Sequence, residues 1–463
     1  MIRFILVAAL AIPTLAACGP KKVEPVVSEA PAPVDPNAWR AQRPAPGPEA
    51  AYTAPTAATF NLSNGVPVYL VKQGELPLVS VRLLVTTGRE SNPKGKAGLA
   101  SLTANLLDEG TKTRDSSTIA TDASRLGAEL SVSAGEETAV VALDALTGAE
   151  LGPSLDLLAD VALNPKFDKT AFARVQSEVL TTIQSAKSEP RDVVSREFLA
   201  QYWGADHPYG TPAIGSETSV KAIKLADVTK QYAQTWHAGN ASIVVAGNID
   251  QATLQPLLEA RFGKWKRGLG PRNQVAAPVA LLKTRVVFVE QPGAVQSVIR
   301  VGGPGPKRSD PAYWPNEVAA TLFGGMFSSR LNMNLREEHG WSYGAYGGLG
   351  ISRDFGVFAA RTSVQADKTA PAVGEILKEM RAQAGRSPTA DEMKLTVANL
   401  VKSLPGNFAN NAATAGTFLQ IPAQGLAADA WATYPASINA VTAEAAGAAG
   451  KTLLDADKAL ILV

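Results

Sequence analysis

A stretch past the middle of the chain repeats one near its beginning. Val286-Val287-Phe288-Val289-Glu290-Gln291 parallels Val68-Tyr69-Leu70-Val71-Lys72-Gln73, 218 residues earlier. The parallel continues: Val295 to Val301 matches Leu78 to Val85, a helical stretch from Asn316 to Phe323 answers Gly98 to Leu107, and Ala459 to Val463 answers Ala241 to Ala246. A period this long describes a duplicated domain and not a solenoid unit. The first copy opens with a hairpin pattern, in which Phe60 and Leu62 precede Asn64-Gly65 and Val66, Val68 and Leu70 follow. Alternating strands are predicted over 78–85, 128–133 and 138–143, and helices over 154–161 and 169–187. Strand runs interleaved with helix pairs give an α+β class, with two homologous domains, each a β-sheet with helices packed on one face. Residues 59–270 form the first domain and 284–463 the second, joined by a basic, Gly- and Pro-containing linker.

The first sixty residues are of a different kind. Arg3 precedes an apolar run, Phe4 to Leu15, that is too short to span a bilayer, and Leu15-Ala16-Ala17-Cys18 follows. This resembles the lipobox of bacterial lipoproteins. By that resemblance residues 1–17 are a signal peptide, Cys18 is lipidated, and Gly19 directs the protein to the periplasmic side of the outer membrane. Residues 18–58 carry nine prolines after Cys18 and no amphipathic period. They read as a tether reaching on the order of 100 Å if extended. Cys18 is the single cysteine. The formal net charge is +2, without a block of like charge that would mark a nucleic-acid partner. A membrane is expected to be met through the lipid anchor only.

The richest segment is 322–347. Ser328 is an N-cap candidate, Leu331, Leu335 and His339 lie four apart, and Gly340 suits a left-handed C-terminal cap. Trp341 to Tyr346 has strand character, with alternation placing Tyr343 and Ala345 on one face. Arg336 and Tyr343 thus flank a tight turn, a geometry that can aim both at one point. The segment resembles the Gly-Gly-x-x-Ser-Ser-Arg-Leu…Leu-Arg-Glu…Gly…Tyr stretch of the insulinase/pitrilysin family of zinc peptidases. His207-Pro208-Tyr209-Gly210 and the strand from Asn240 resemble further parts of that family. The resemblance covers nearly everything from Thr59 onward. It implies two domains closed like a clamshell around a chamber, and an Arg336/Tyr343 pair that binds substrate across from a zinc ion.

The family's zinc motif is H-x-x-E-H, two histidines and a base on one helix face. The frame around it is present here as Gly98-Leu99-Ala100 and Gly110-Thr111. At the positions of the motif stand Ser101, Ala104 and Asn105, and Thr182 falls where a third ligand is expected. His207, His237 and His339 are the only histidines, and no two have ligand spacing. Each reads as a turn, surface or capping residue, and Asp108 and Glu109 as solvated helix-end charges. No Gly-x-Ser-x-Gly elbow occurs, and Gly302-Gly303-Pro304-Gly305 reads as a turn. No cofactor is therefore expected in this chain. The resemblance implies a non-catalytic subunit acting in trans on a peptide substrate, with zinc in an insulinase-family partner. The alternative is a catalytically dead scaffold or binding lipoprotein.

Overall fold

The computed structural model describes residues 37–41, 47, 52–268 and 275–463. Cys18 and the leader lie outside the described residues. The chain divides into two units, Met1–Ala51 and Tyr52–Val463. Of the first, the described part is mainly a short turn at Ala38–Ala41. The second holds both sheets.

The first sheet has six strands: β1 (Ala58–Asn61), β2 (Pro67–Lys72), β3 (Leu78–Val85), β4 (Glu129–Ala134), β5 (Ala139–Leu146) and β6 (Ala241–Gly247). Their order is β1-β2-β6-β3-β5-β4. The second sheet has five: β7 (Arg285–Val287), β8 (Gln296–Gly305), β9 (Ser342–Ile351), β10 (Gly356–Gln365) and β11 (Leu460–Leu462), in the order β7-β11-β8-β10-β9. Apart from β1, the two orders are the same topology. In each sheet the strand that closes the half lies parallel to the strand that opened it, β6 on β2 and β11 on β7. The repeat read from the sequence is thus a repeat of fold, and the mixed helix-and-sheet class stands. Gly302 to Gly305 is a correction. It is not a turn but the end of β8, paired with Gly356 to Ala359 of β10.

Alternation decides what each sheet face covers. Val79, Val81, Leu83 and Val85 point from β3 into a core closed by the half's own helices Leu151–Leu163 and Gln251–Phe262. Ile299 and Val301 do the same in the second half, against helices Tyr313–Ala320, Thr369–Ala384 and Ala443–Leu453. The opposite faces are also apolar, and each is covered from the other half. Val71, Val244 and Ala246 pack on Leu404, Ala415, Phe418 and Ile421. Leu460 and Leu462 pack on Val194, Phe198, Tyr202 and Trp203 of helix Pro190–Trp203. Room for that helix comes from Gly302, where an added Cβ would stand 2.6 Å from Cζ of Phe198 and 2.6 Å from a strand carbonyl. The halves therefore exchange helices, and each sheet is completed only by the other's.

Candidate functional site around Tyr343

The segment from Thr321 to Glu338 is wider than the regular helix that the leucine spacing after Ser328 predicts. Thr321–Gly325 is a π-helical turn, Arg330–Asn332 a single α turn, and Met333–Glu338 a second π-helical turn. The N-cap is Ser329 and not Ser328, and its side chain makes no capping bond. In the second of these turns Asn334 is tied both outside and along the chain. Asn334 Nδ2 donates to Glu375 (2.8 Å) and Glu379 (3.0 Å), while its carbonyl accepts the N–H of His339, five residues on, at 3.0 Å. Gly340 ends the segment at φ +65°, as a left-handed cap requires.

Strand β9 follows, and its start is held from both sides. Asn332, fully buried, donates to the Phe327 carbonyl at 2.7 Å and accepts the N–H of Ala345 at 3.0 Å. Gly324 lets the first π turn lie backbone to backbone on β9, since a Cβ there would stand 2.4 Å from N of Gly347. Neither Asn332 nor the need for Gly324 was read from the sequence, because both act on residues brought close only by folding.

Tyr343 does not share a face with Ala345. The ladder to β10 pairs Thr362 with Ala345 but Val364 with Ser342, so Tyr343 and Gly344 together oppose Ser363. This is a β-bulge, which turns one side chain out of the alternation. Ala345 is buried in the second core, whereas Tyr343 is 91 % exposed. The bulge is held by Ser342, whose hydroxyl accepts the N–H of Gly344 at 3.1 Å and lies 2.8 Å from the Thr362 hydroxyl. Tyr343 lines a cavity of about 360 Å³ between helix Pro190–Trp203 and strands β8, β9 and β10.

Arg336 is placed differently. Its guanidinium lies over the ring of Phe327, 4.7 Å from the centroid, and its Nε is 3.4 Å from Glu337. It is not among the residues lining the Tyr343 cavity. The immediate neighbours of Arg336 are thus Phe327 and Glu337, and those of Tyr343 are the residues of the cavity.

The Ser-Ser-Arg-Leu part of the segment has a structural function. Arg330, nearly buried, forms an ion pair with Glu392 at 2.7 Å. Glu392 also accepts from Arg386 and, at 2.8 Å, from the N–H of Thr389 in a capping box that starts helix Ala390–Ser403. Burial alone would raise the pKa of Glu392, but the bonds from Arg386, Thr389 and Arg330 outweigh it and hold the pKa at about 2. A carboxylate whose folded pKa is depressed stabilises above its unfolded pKa and loses that contribution as pH falls toward the folded value. Glu392→Gln is therefore expected to cost roughly 1–2 kcal/mol near neutrality, allowing for solvent screening. The difference should shrink as pH falls from about 4.5 toward 2. Urea midpoints of both proteins at pH 6 and pH 3 measure this, and an equal gap at the two pH values would remove the assignment.

The positions of the zinc motif lie on helix Leu99–Ala104 and its C-cap, Asn105. Ser101 is half-buried, Ala104 is fully buried in the first core, and Asn105 is exposed. Thr182 is exposed on helix Lys169–Ala186 and donates to the Glu178 carbonyl at 3.0 Å. A hydroxyl, a methyl and an amide offer no imidazole and no base, so this donor set does not fit zinc. No group of three His, Cys, Asp or Glu suited to a metal occurs among the described residues. Nor do Ser101, Ala104, Asn105 and Thr182 line the Tyr343 cavity.

Asp108 and Glu109 are less solvated than their sequence suggests. Both are half-buried, burial raises the pKa of Asp108, and Glu109 pairs with Arg174. His207 is a turn residue. Its Nδ1 accepts the N–H of Tyr209 at 3.0 Å, which leaves Nε2–H to donate to the Ala276 carbonyl at 2.9 Å. His237 is buried, and burial lowers its pKa. His339 stacks on Trp341 at 4.1 Å.

Comparison with known proteins agrees with this geometry. The model described as Insulinase (Peptidase family M16) matches residues 68–215, and that described as Peptidase M16 inactive domain matches residues 222–400. The chain is 29 % identical over 321 residues to an uncharacterized zinc protease of Mycobacterium bovis, covering 68 % of this chain and 72 % of the relative. Its fold is similar to the peptidase M16 inactive domain from Pseudomonas fluorescens, with a TM-score of 0.82 and 24 % identity over 88 % of this chain and 97 % of the other. A protease from Helicobacter pylori has the same TM-score at 18 % identity, over 88 % and 99 % of the two chains. With the two models together matching well over half of its length, the chain belongs to the insulinase family, peptidase family M16, while carrying no H-x-x-E-H sequence.

Proposed function

We propose that this chain is the non-catalytic, substrate-binding subunit of a heterodimeric zinc peptidase, anchored through Cys18 on the periplasmic side of the bacterial outer membrane. The observation that carries the reading is the bulge at Tyr343, which holds a phenol out of the sheet and over a cavity while the donors of a metal site are missing. In the heterodimer the partner supplies zinc and the base. Tyr343 donates a hydrogen bond to the scissile carbonyl as its oxygen gains charge, and Arg336 leaves Phe327 to orient the peptide. A catalytically inert scaffold is the second reading. It is favoured by Arg336, whose stacking on Phe327 and contact with Glu337 give it a structural use without substrate.

Co-expression with an insulinase-family protein that carries H-x-x-E-H tests the first reading. The expected result is a complex that cleaves a quenched peptide and holds one zinc per heterodimer, whereas this chain alone holds none after dialysis against a weak chelator. The Cys18→Ser chain is expected in the soluble periplasmic fraction, because several acyl chains together hold a protein firmly to a bilayer. Stoichiometric zinc in the isolated chain would overturn the reading, and a complex as inactive as the chain alone would favour the scaffold.

A further inference from the structure

The cavity beside Tyr343 carries a charge pattern that the reading above does not use. Three arginines line it, Arg191, Arg300 and Arg361, and no carboxylate does. Arg300 and Arg361 face each other directly across the β8–β10 ladder, and Arg361 is paired in turn with Tyr346 on β9. Like charges in directly opposed strand positions destabilise a sheet, so this row is costly unless an anion sits on it. Arg300 is half-buried, with its guanidinium 4.4 Å over the ring of Phe198. Stacking occupies the face of the guanidinium and leaves its N–H edge for another partner. Burial and the charge of Arg361 lower the pKa of Arg300, against a weaker opposite effect from Glu136. That glutamate is already in an ion pair with buried Arg89 at 2.7 Å.

The third arginine arrives by helix exchange. Arg191 stands in the first turn of helix Pro190–Trp203, which the first half lays across the second sheet. The three cations meet only in the assembled fold, and they meet at the cavity that Tyr343 lines.

We infer that the row Arg300–Arg361, completed by Arg191, is a carboxylate subsite that selects peptides with an acidic group close to the segment presented to Tyr343. A planar carboxylate accepts two parallel N–H bonds from a guanidinium, and a cavity of about 360 Å³ admits a side chain of that size. Neutral Gln296 and the hydroxyl of Tyr346 supply further donors around it. The carboxylate belongs either to an Asp or Glu side chain or to a peptide C-terminus. The inference rests on the proposed substrate-binding reading for bringing a peptide there. It is tested on this chain alone, so it fails separately from any claim about a zinc-bearing partner.

The test is calorimetric titration of the full chain at low salt with three probes. Two are acetylated, amidated pentapeptides, Ala-Ala-Glu-Ala-Ala and the same with Gln at the centre. The third is acetylated penta-alanine with a free C-terminal carboxylate. The expected result is at least about tenfold tighter binding of one carboxylate-bearing probe than of the Gln peptide, the size of preference that one charge-assisted pair supports. Which probe it is identifies the source of the carboxylate. In Arg191→Gln/Arg361→Gln the preference should fall to near one. Both residues are exposed, so that variant should fold, and its urea midpoint checks that it does. Equal affinity for all probes, no measurable binding, or a preference that survives in the folded double variant would each overturn the inference.

Discussion

Tyr343→Phe is expected to lower turnover by the reconstituted heterodimer about 100-fold, with the complex and the fold intact. The substitution removes one hydroxyl donor and keeps the ring. A donor aimed at a developing oxyanion is worth about 3 kcal/mol of transition-state stabilisation, which gives that factor. Stability should be unaffected because Tyr343 is 91 % exposed and contributes little to the core. The bulge rests on Ser342, Gly344 and Thr362 and not on the phenol. Arg336→Ala is expected to raise KM more than it lowers kcat. The two effects should not simply add if both side chains contact one substrate segment. Turnover of a quenched peptide, with assembly followed by size exclusion, measures both. Full activity of an intact Tyr343→Phe complex would turn the interpretation to the scaffold.

Phe198→Ala should be among the most destabilising single truncations, at about 3–5 kcal/mol. Phe198 is buried at 1 % exposure between helix Pro190–Trp203 and the second sheet, stacked on Tyr202 at 5.7 Å and covered by Arg300. Its ring fills the space that Gly302 leaves open, and no neighbour can close that space without moving a strand. Because this helix belongs to the first half, the loss falls on the contact between halves. The urea transition should move to a lower midpoint and broaden if the halves begin to unfold separately. An unchanged midpoint would mean that the exchanged helix contributes little to holding the halves together.

Sequence period and alternation located most of the strands well. Leu78–Val85 is a strand over the full predicted range, and Ala241 to Ala246 is one residue short of the strand observed. The order of strands in the second sheet follows from that of the first once the repeat is seen, because homologous segments of this length fold alike. The absence of zinc donors at 101, 104 and 105 was also a matter of residue type alone. Helix Pro190–Trp203 was a different problem. Its apolar residues mark a buried face, but nothing local says which sheet will bury it, and the answer was the sheet that begins some eighty residues later.

Tyr343 shows where sequence reasoning stops. Alternation put it on one face with Ala345, whereas the bulge leaves Ala345 in the core and Tyr343 exposed. A bulge is set by how many residues each of two strands spends between the same pair of ladder bonds, and β10 is a partner that β9 meets only on folding. Arg191, Arg300 and Arg361 form one site for a similar reason. They lie on a helix and two strands from separate halves, so their types were fixed along the chain and their proximity by the exchange of helices. The amino-acid sequence by itself determined the duplication, the family and the residue types at 101, 104 and 105, all of which depend on residue identity and spacing. Only the tertiary structure decided which phenol faces solvent and which cations share a cavity, because those depend on contacts between segments far apart in the chain.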